Sequence, residues 1–433
     1  MHEAAPGPQP KARVPIPQAA AGIFGFGLLL VLGVGGAAWL PRAWRLSTLA
    51  FAALAGAALI ARRRIALSRL EWSFLAGLAA LTLWTAASAS WSGRATTSFL
   101  QAERMLVYVA GVAAVILVVP RDGVHRLLVG TAAGITAVSA YGLADYLHAG
   151  RPIDLIEGRL LFEPIGYANG FGIFASIGLA LVLVLGVTTR SWWGRAAAAA
   201  AAAVLLTTLY YTDSRGSALA LGGGLAVAFV FSRAGLRGRV AVVAIAAAGI
   251  VAMNTIAIAS HVVNDTGLVG ENRPLYWRVA WKDYEQHPLV GSGAGTYYVY
   301  WLRDREVESF TRVAHNLYLE TLAELGPLAL AILVGTLALP LLGARPGLGP
   351  HVTAAVAGYA TYILHVAIDW DWQQPGITLA GLLCGAALLV STRSEDTPAL
   401  SPRGRAMLAS AAAVFAVLAL IRLQTGPELP FGP

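Results

Sequence analysis

His315 and Arg215 are residues whose type and placement could do chemistry. His315 stands directly before Asn316, and the apolar helical pattern LYLETLAELGPLALAIL follows. Asn316 is a natural N-cap and Glu320 suits a first helical turn, so the imidazole would sit at the positive end of a helix dipole. That end disfavours imidazolium, and a neutral imidazole is a usable general base. A loop histidine can equally be structural. Arg215 lies in the short segment TDSRGS, between two apolar runs. An arginine there is costly unless it pairs, Asp213 being the nearest choice, or binds an anion.

Three further stretches carry polar groups worth following. Arg273 opens RPLYWRVAWKDYEQHPL, whose pattern predicts a helix from about Pro274 to Gln286, begun by proline and ended at His287-Pro288. Trp277, Trp281 and Tyr284 recur on one face and Arg278, Lys282 and Glu285 on another, the pattern of a helix lying flat on a membrane surface. Packing explains most of this helix, and Arg273 least. The glycines of GSGAG, 291–295, lack the strand and helix that flank a nucleotide loop, and they read as a tight turn bringing backbone close to a neighbour. In HVAIDWDWQQP, His365 and Asp369 are spaced by one helical turn, which predicts either a structural pair or a substrate site. No third ligand for a metal is evident.

These groups must be held by a membrane protein. Hydrophobic residues make up 57% of the chain and charged ones 12%, and the mean hydropathy is +0.65, which excludes a soluble domain of this length. About thirteen apolar runs of roughly 17–22 residues recur without the period-two alternation of a β-barrel. The expected fold class is therefore all-α, a polytopic bundle of about 12–13 transmembrane helices with one longer extracytoplasmic loop that contains short helices. The expected division is a disordered cytoplasmic tail at 1–18, spans over 19–258, the outer loop at 259–315, spans over 316–421, and a tail at 422–433.

The net charge of +8 does not point to nucleic acid, because the basic residues are scattered through short loops. Lys11, Arg13, Arg62, Arg63, Arg64, Arg69, Arg121, Arg126, Arg190, Arg195, Arg233, Arg237, Arg239, Arg345, Arg393, Arg403 and Arg405 fall on one side, which the positive-inside rule makes cytoplasmic. The polar interval then faces outward. Trp39, Trp44, Trp72, Trp91, Trp192, Trp193, Trp370 and Trp372 lie at expected span ends, as an interfacial belt would have them. The single cysteine, Cys384, is inside an apolar run and supports neither a disulfide nor a thiolate metal site.

Arg273-x3-Trp277, then HPLVGSGAG, then AHNLYLETLAELG resembles the signature of the O-antigen ligase and polysaccharide polymerase superfamily. SRGSALAL and IGYANGFGIFAS resemble its two upstream landmarks, so the resemblance runs over roughly 70–385, and the order of the motifs is its specific part. It implies a glycosyltransferase of the GT-C type that uses neither metal nor cofactor. The implied donor is a glycan on a polyprenyl pyrophosphate, usually undecaprenyl, and the acceptor is a hydroxyl of a glycan or lipid outside the cytoplasmic membrane. By the same resemblance Arg215 and Arg273 hold pyrophosphate and His315 acts on the acceptor. Arg278, Arg312, Asn169, Asn316 and Trp277 become substrate contacts. The outer loop is short for that superfamily, so the acceptor's identity does not carry over. Two other classes remain open, a transporter or flippase of lipid-linked sugars and a non-catalytic scaffold for polysaccharide assembly. The first would place ionisable residues in mid-span and show inverted repeats.

Overall fold

The computed structural model describes residues 16–233, 235–259, 272–344 and 349–426. The expected tail up to residue 15 and the start of the outer loop, 260–271, lie outside them. Among the described residues there are fifteen α-helices and no strand. The first nine are α1 (Ile16–Val34), α2 (Pro41–Ala61), α3 (Arg69–Ala87), α4 (Ala95–Val118), α5 (Val124–His148), α6 (Ala168–Thr188), α7 (Trp192–Thr212), α8 (Arg215–Arg233) and α9 (Leu236–Ala259). The polar interval supplies α10 (Arg273–Gln286) and α11 (Tyr297–Asp304). The chain ends with α12 (Leu317–Gly343), α13 (Pro350–His365), α14 (Pro375–Ser391) and α15 (Pro402–Thr425).

Each apolar run of the sequence is a helix, and nine of the described helices are long and apolar enough to cross a membrane. Several ends differ from expectation. The first run stops at Val34, where the chain turns through Ala37 in the left-handed region at φ 52°. The last helix continues to Thr425, past the expected boundary at 421. The run expected to end at 368 stops at His365, which releases residues 366–374 as a turn carrying Asp369 and Asp371.

Helices apolar on all sides belong inside a bundle. α14 obeys this, with every one of its residues buried. α4, α5, α6, α12 and α13 pack against it, and α7 and α15 stand at the rim, only 11% and 6% buried. Small residues set the closest approaches, where dispersion and short polar contacts replace a hydrophobic driving force. A Cβ on Gly224 of α8 would lie 2.7 Å from the Ala357 carbonyl oxygen of α13, so α8 can be drawn against α13 only through glycine there.

At one end of the bundle, arginines close the last turns of helices. Arg62 donates to the carbonyls of Leu117 (2.6 Å) and Val118 (3.1 Å) at the end of α4, and Arg405 to those of Leu59 (2.7 Å) and Arg62 (3.0 Å) at the end of α2. Arg393 reaches the carbonyls of Ile116 (2.6 Å) and Val119 (3.1 Å) and pairs with the fully buried Glu71 at 2.6 Å. Cations on carbonyls left open at helix C-termini are favourable in charge and in hydrogen bonding. The tryptophans divide differently from expectation. Trp192 and Trp193 are exposed, as interfacial anchors should be, whereas Trp44 is 1% exposed and belongs to the core.

At the opposite end, α10 and α11 form a small core of their own. Leu275, Trp277, Val279 and Ala280 of α10 meet Tyr297 and Trp301 of α11, and both seat on Leu319 and Ala323 of α12. The polar interval is therefore a packed unit resting on α12 rather than a helix lying loose on a membrane.

Candidate active site

The turn after His365 collects what the sequence scattered. Its Asp369, 1% exposed, accepts hydrogen bonds from Arg273 Nη2 at 2.6 Å and from the Tyr167 hydroxyl at 2.8 Å. Asn169 Nδ2 donates to the same Tyr167 oxygen at 2.9 Å. Burial opposes the charges on both partners, yet Arg273 holds Asp369 below the ordinary carboxylate range and Asp369 keeps Arg273 above its own. The pair is ionised.

His315 sits beside it. The residue is held at φ 53°, in the left-handed region that a β-carbon disfavours, and its ring stacks against Tyr276 with 5.0 Å between centroids. Backbone strain of this kind, about 1–3 kcal/mol, persists where surrounding structure over-determines it, commonly at functional sites. Nδ1 lies 3.2 Å from the Val313 carbonyl oxygen. A carbonyl can only accept, so Nδ1 carries the proton and Nε2 presents a lone pair. Burial pushes the imidazole pKa down to about 4; Asp369 pulls the other way and Arg273 adds to the depression. The ring is neutral at physiological pH, as its place before the helix suggests. Asn316 caps α12 by accepting from the Leu319 amide at 3.0 Å.

A second chain of hydrogen bonds supports the turn from below. His365 Nδ1 contacts Asp371, and its Nε2 lies 3.1 Å from Ser217 Oγ, which also bonds the Asn169 carbonyl at 3.3 Å. This corrects the expected pairing. α13 ends at His365, so Asp369 never reaches the position one turn further along a helix; Asp371 takes the histidine and Asp369 takes Arg273. Ser217 lies in the first turn of α8, and the start of that helix abuts the turn: a Cβ on Gly216 would lie 3.5 Å from His365 Nε2. Arg215, the first residue of α8, is exposed. The expected partner Asp213 caps the end of α7 in the left-handed region and does not pair with it. Among the described residues no hydrogen bond or ion pair engages Arg215.

The glycine turn has a structural explanation. Gly291, Gly293 and Gly295 all have positive φ, and the amides of Gly295 and Tyr297 donate to Glu324 of α12 at 2.7 and 2.8 Å. The turn wraps a carboxylate of its own chain, beside the kink at Gly326, while Glu320 accepts from the Ala314 amide at 2.6 Å. At the end of α10, buried Asp283 accepts from Ser292 at 2.8 Å and contacts His287 at 3.0 Å; burial pushes its pKa up to about 6. Gly293→Ala should therefore loosen the whole interval: at φ 107° the new Cβ would sit 2.3 Å from Ser92 Cβ. We expect a loss of about 1–3 kcal/mol, read as a lower unfolding midpoint in detergent. Gly56→Ala, in open space on α2, should show no such loss.

Other expected contacts are placed elsewhere. Trp277 is fully buried in the core of the interval, so it seats α10 and offers no surface to a substrate. Asn316 is 1% exposed and occupied by its cap. Arg278 meets Glu306 at 3.4 Å and Arg312 lies over the Phe310 ring at 5.6 Å. Asn169 remains partly exposed at the site. Sequence reading missed Tyr167, Asp371, Ser217 and Glu157 as site groups; burial pushes the Glu157 carboxyl up to about 7, and the charge of Asp369 contributes.

Residues 200–334 match the family model described as O-antigen ligase. The match covers about a third of the chain. The helices make the chain a polytopic all-α membrane protein, and no curated protein matches it. The matched stretch takes in Arg215, Arg273 and His315, from within α7 to within α12. Asp369, which holds Arg273, and the Tyr167, Asn169, His365 and Asp371 side chains around its turn all lie outside the matched stretch.

Proposed function

We propose that the protein transfers a glycan from a polyprenyl-pyrophosphate donor, of the undecaprenyl type, to an acceptor hydroxyl on the outer face of the cytoplasmic membrane. The observation that carries this reading is a neutral His315 with a free-standing Nε2 lone pair beside an ionised, fixed Arg273. Donor binding would set the diphosphate between Arg273 and the exposed Arg215. Guanidinium groups suit this because they give paired hydrogen bonds to phosphate oxygens and keep their charge. Arg215 also sits at the positive end of α8, an unfavourable place for a cation and a favourable one for an anion beside it.

In the transfer step the acceptor oxygen attacks the anomeric carbon. The new C–O bond forms as the bond from that carbon to the pyrophosphate oxygen breaks. The acceptor proton moves to His315 Nε2, and the polyprenyl pyrophosphate leaves with the bonding electron pair, its charge stabilised by the two arginines. Asp369 orients Arg273 and does not touch the donor.

A transporter would use ionisable groups within spans, and Arg104, Glu320 and Glu324 are buried there. They are engaged structurally: Arg104 with Gln101 and Gln373, Glu320 with the Ala314 amide, and Glu324 with the glycine turn. Purified protein in liposomes, given lipid-linked repeat units, should form new glycosidic bonds detectable by mass spectrometry. Growth on the lipid without another acceptor makes the enzyme a polymerase; transfer only when a second acceptor is added makes it a ligase. Movement of unchanged donor across the bilayer, with no new bond, would overturn the proposal.

A further inference from the structure

The connection between α5 and α6 carries the most exposed apolar cluster outside the rim helices. Leu155 is 102% exposed, Ile156 81% and Ile153 67%, three large aliphatic residues in four consecutive positions. The turn is rigid. Asp154 Oδ1 accepts from the amides of Ile156 (2.7 Å) and Glu157 (2.9 Å), and the Asp154 amide donates to the Gly158 carbonyl at 2.7 Å. An exposed loop in water has no need to satisfy these groups internally, whereas one that meets lipid must.

The placement of the turn points the same way. The Leu161 amide donates to the Tyr211 carbonyl at 2.9 Å, and Arg151 lies over the Tyr211 ring at 5.2 Å, so the connection is tied to the end of α7. α7 is a rim helix whose outer surface faces lipid, and its last turn exposes Tyr210 (76%), an aromatic suited to the membrane boundary. The turn is therefore held at the level where hydrocarbon gives way to headgroups. Arg151 and Arg159 flank it, with cationic ends suited to lipid phosphate.

We infer that Ile153, Leu155 and Ile156 enter the membrane leaflet at the site's end of the bundle, so that the α5–α6 connection is a lipid-contacting anchor. It bears on the site as well, since Glu157 closes the same turn and senses Asp369. The inference does not depend on the proposed reaction. The chain's single cysteine, Cys384, is fully buried, so a Cys384→Ala background leaves one introduced thiol to label. Leu155→Cys carrying a nitrobenzoxadiazole dye, reconstituted in phosphatidylcholine and phosphatidylglycerol vesicles, should be quenched by lipid bearing a nitroxide near the headgroup. Aqueous cobalt should quench it at least twofold less than the same dye at Glu308→Cys, an exposed position of the outer interval. Quenching by cobalt equal to that at 308 would overturn the inference. So would protection from both quenchers, which would mean that protein covers the turn.

Discussion

Asp369→Asn should reduce glycan transfer by about two to three orders of magnitude, although Asp369 touches neither donor nor acceptor in the proposed reaction. Its carboxylate is the partner of Arg273 at 2.6 Å and is almost wholly buried. Removing one member of a buried pair leaves the other charge uncompensated, at a cost of about 3–5 kcal/mol. If that cost falls on the alignment of Arg273 with the leaving group, each 1.36 kcal/mol is a tenfold loss of rate. Stability and function can be separated by removing both charges. Asp369→Leu combined with Arg273→Leu should recover much of the unfolding midpoint lost in either single variant, because paired removal of a buried ion pair is often near neutral. The double variant should remain inactive. Transfer at wild-type rate in the double variant would show that Arg273 served only as a counter-ion, and the phosphate role would be withdrawn.

His315→Asn should remove transfer just as fully while leaving the protein folded. Asparagine tolerates the left-handed backbone that His315 occupies at φ 53°, so the substitution keeps the local conformation and deletes the base. The wild-type pH profile supplies the sharper measurement. With the imidazole pKa pushed down to about 4, the basic form is fully populated from about pH 5 upward, and acid removes it only as pH falls through 4. kcat/KM, which reports groups of the free enzyme, should therefore be flat from pH 5 to 7 on its acid side. An acid limb near 6.5, the ordinary histidine value, would contradict a buried neutral base at this position.

Much of the architecture could be read from apolar runs, because a span in lipid has to satisfy its own backbone and so has to be helical. The functional types at 215, 273 and 315 were legible for a related reason: arginine and histidine are conspicuous where everything around them is aliphatic. Their partners were not. Asp369 and Arg273 stand 96 positions apart, and the spacing from His365 to Asp369 suggested a helical pair only so long as the helix was assumed to continue. It ends at His365 and redistributes both acids. Trp277 shows the limit of periodicity. A repeat identifies a face of α10, but only the arrival of Tyr297 and Trp301 decides that this face is covered. Glu324 likewise reads as one more acid on a helix until the glycine turn closes over it.

The arginines that close helix ends away from the site have a consequence for how the protein is made. Arg62, Arg393 and Arg405 belong to the set that the positive-inside rule expects on one side of the membrane, and in the folded chain Arg62 joins the end of α2 to α4, Arg393 joins the chain after α14 to α4, and Arg405 of α15 closes the end of α2. A guanidinium that this rule keeps on one side during biogenesis would already wait beside the helix end it later seals. Lysine would carry the same topological information, yet its single ammonium lacks the planar fork with which Arg393 reaches Ile116, Val119 and Glu71 together. By that expectation, arginine would let one residue serve first as an insertion signal and then as a fastening between neighbouring helices.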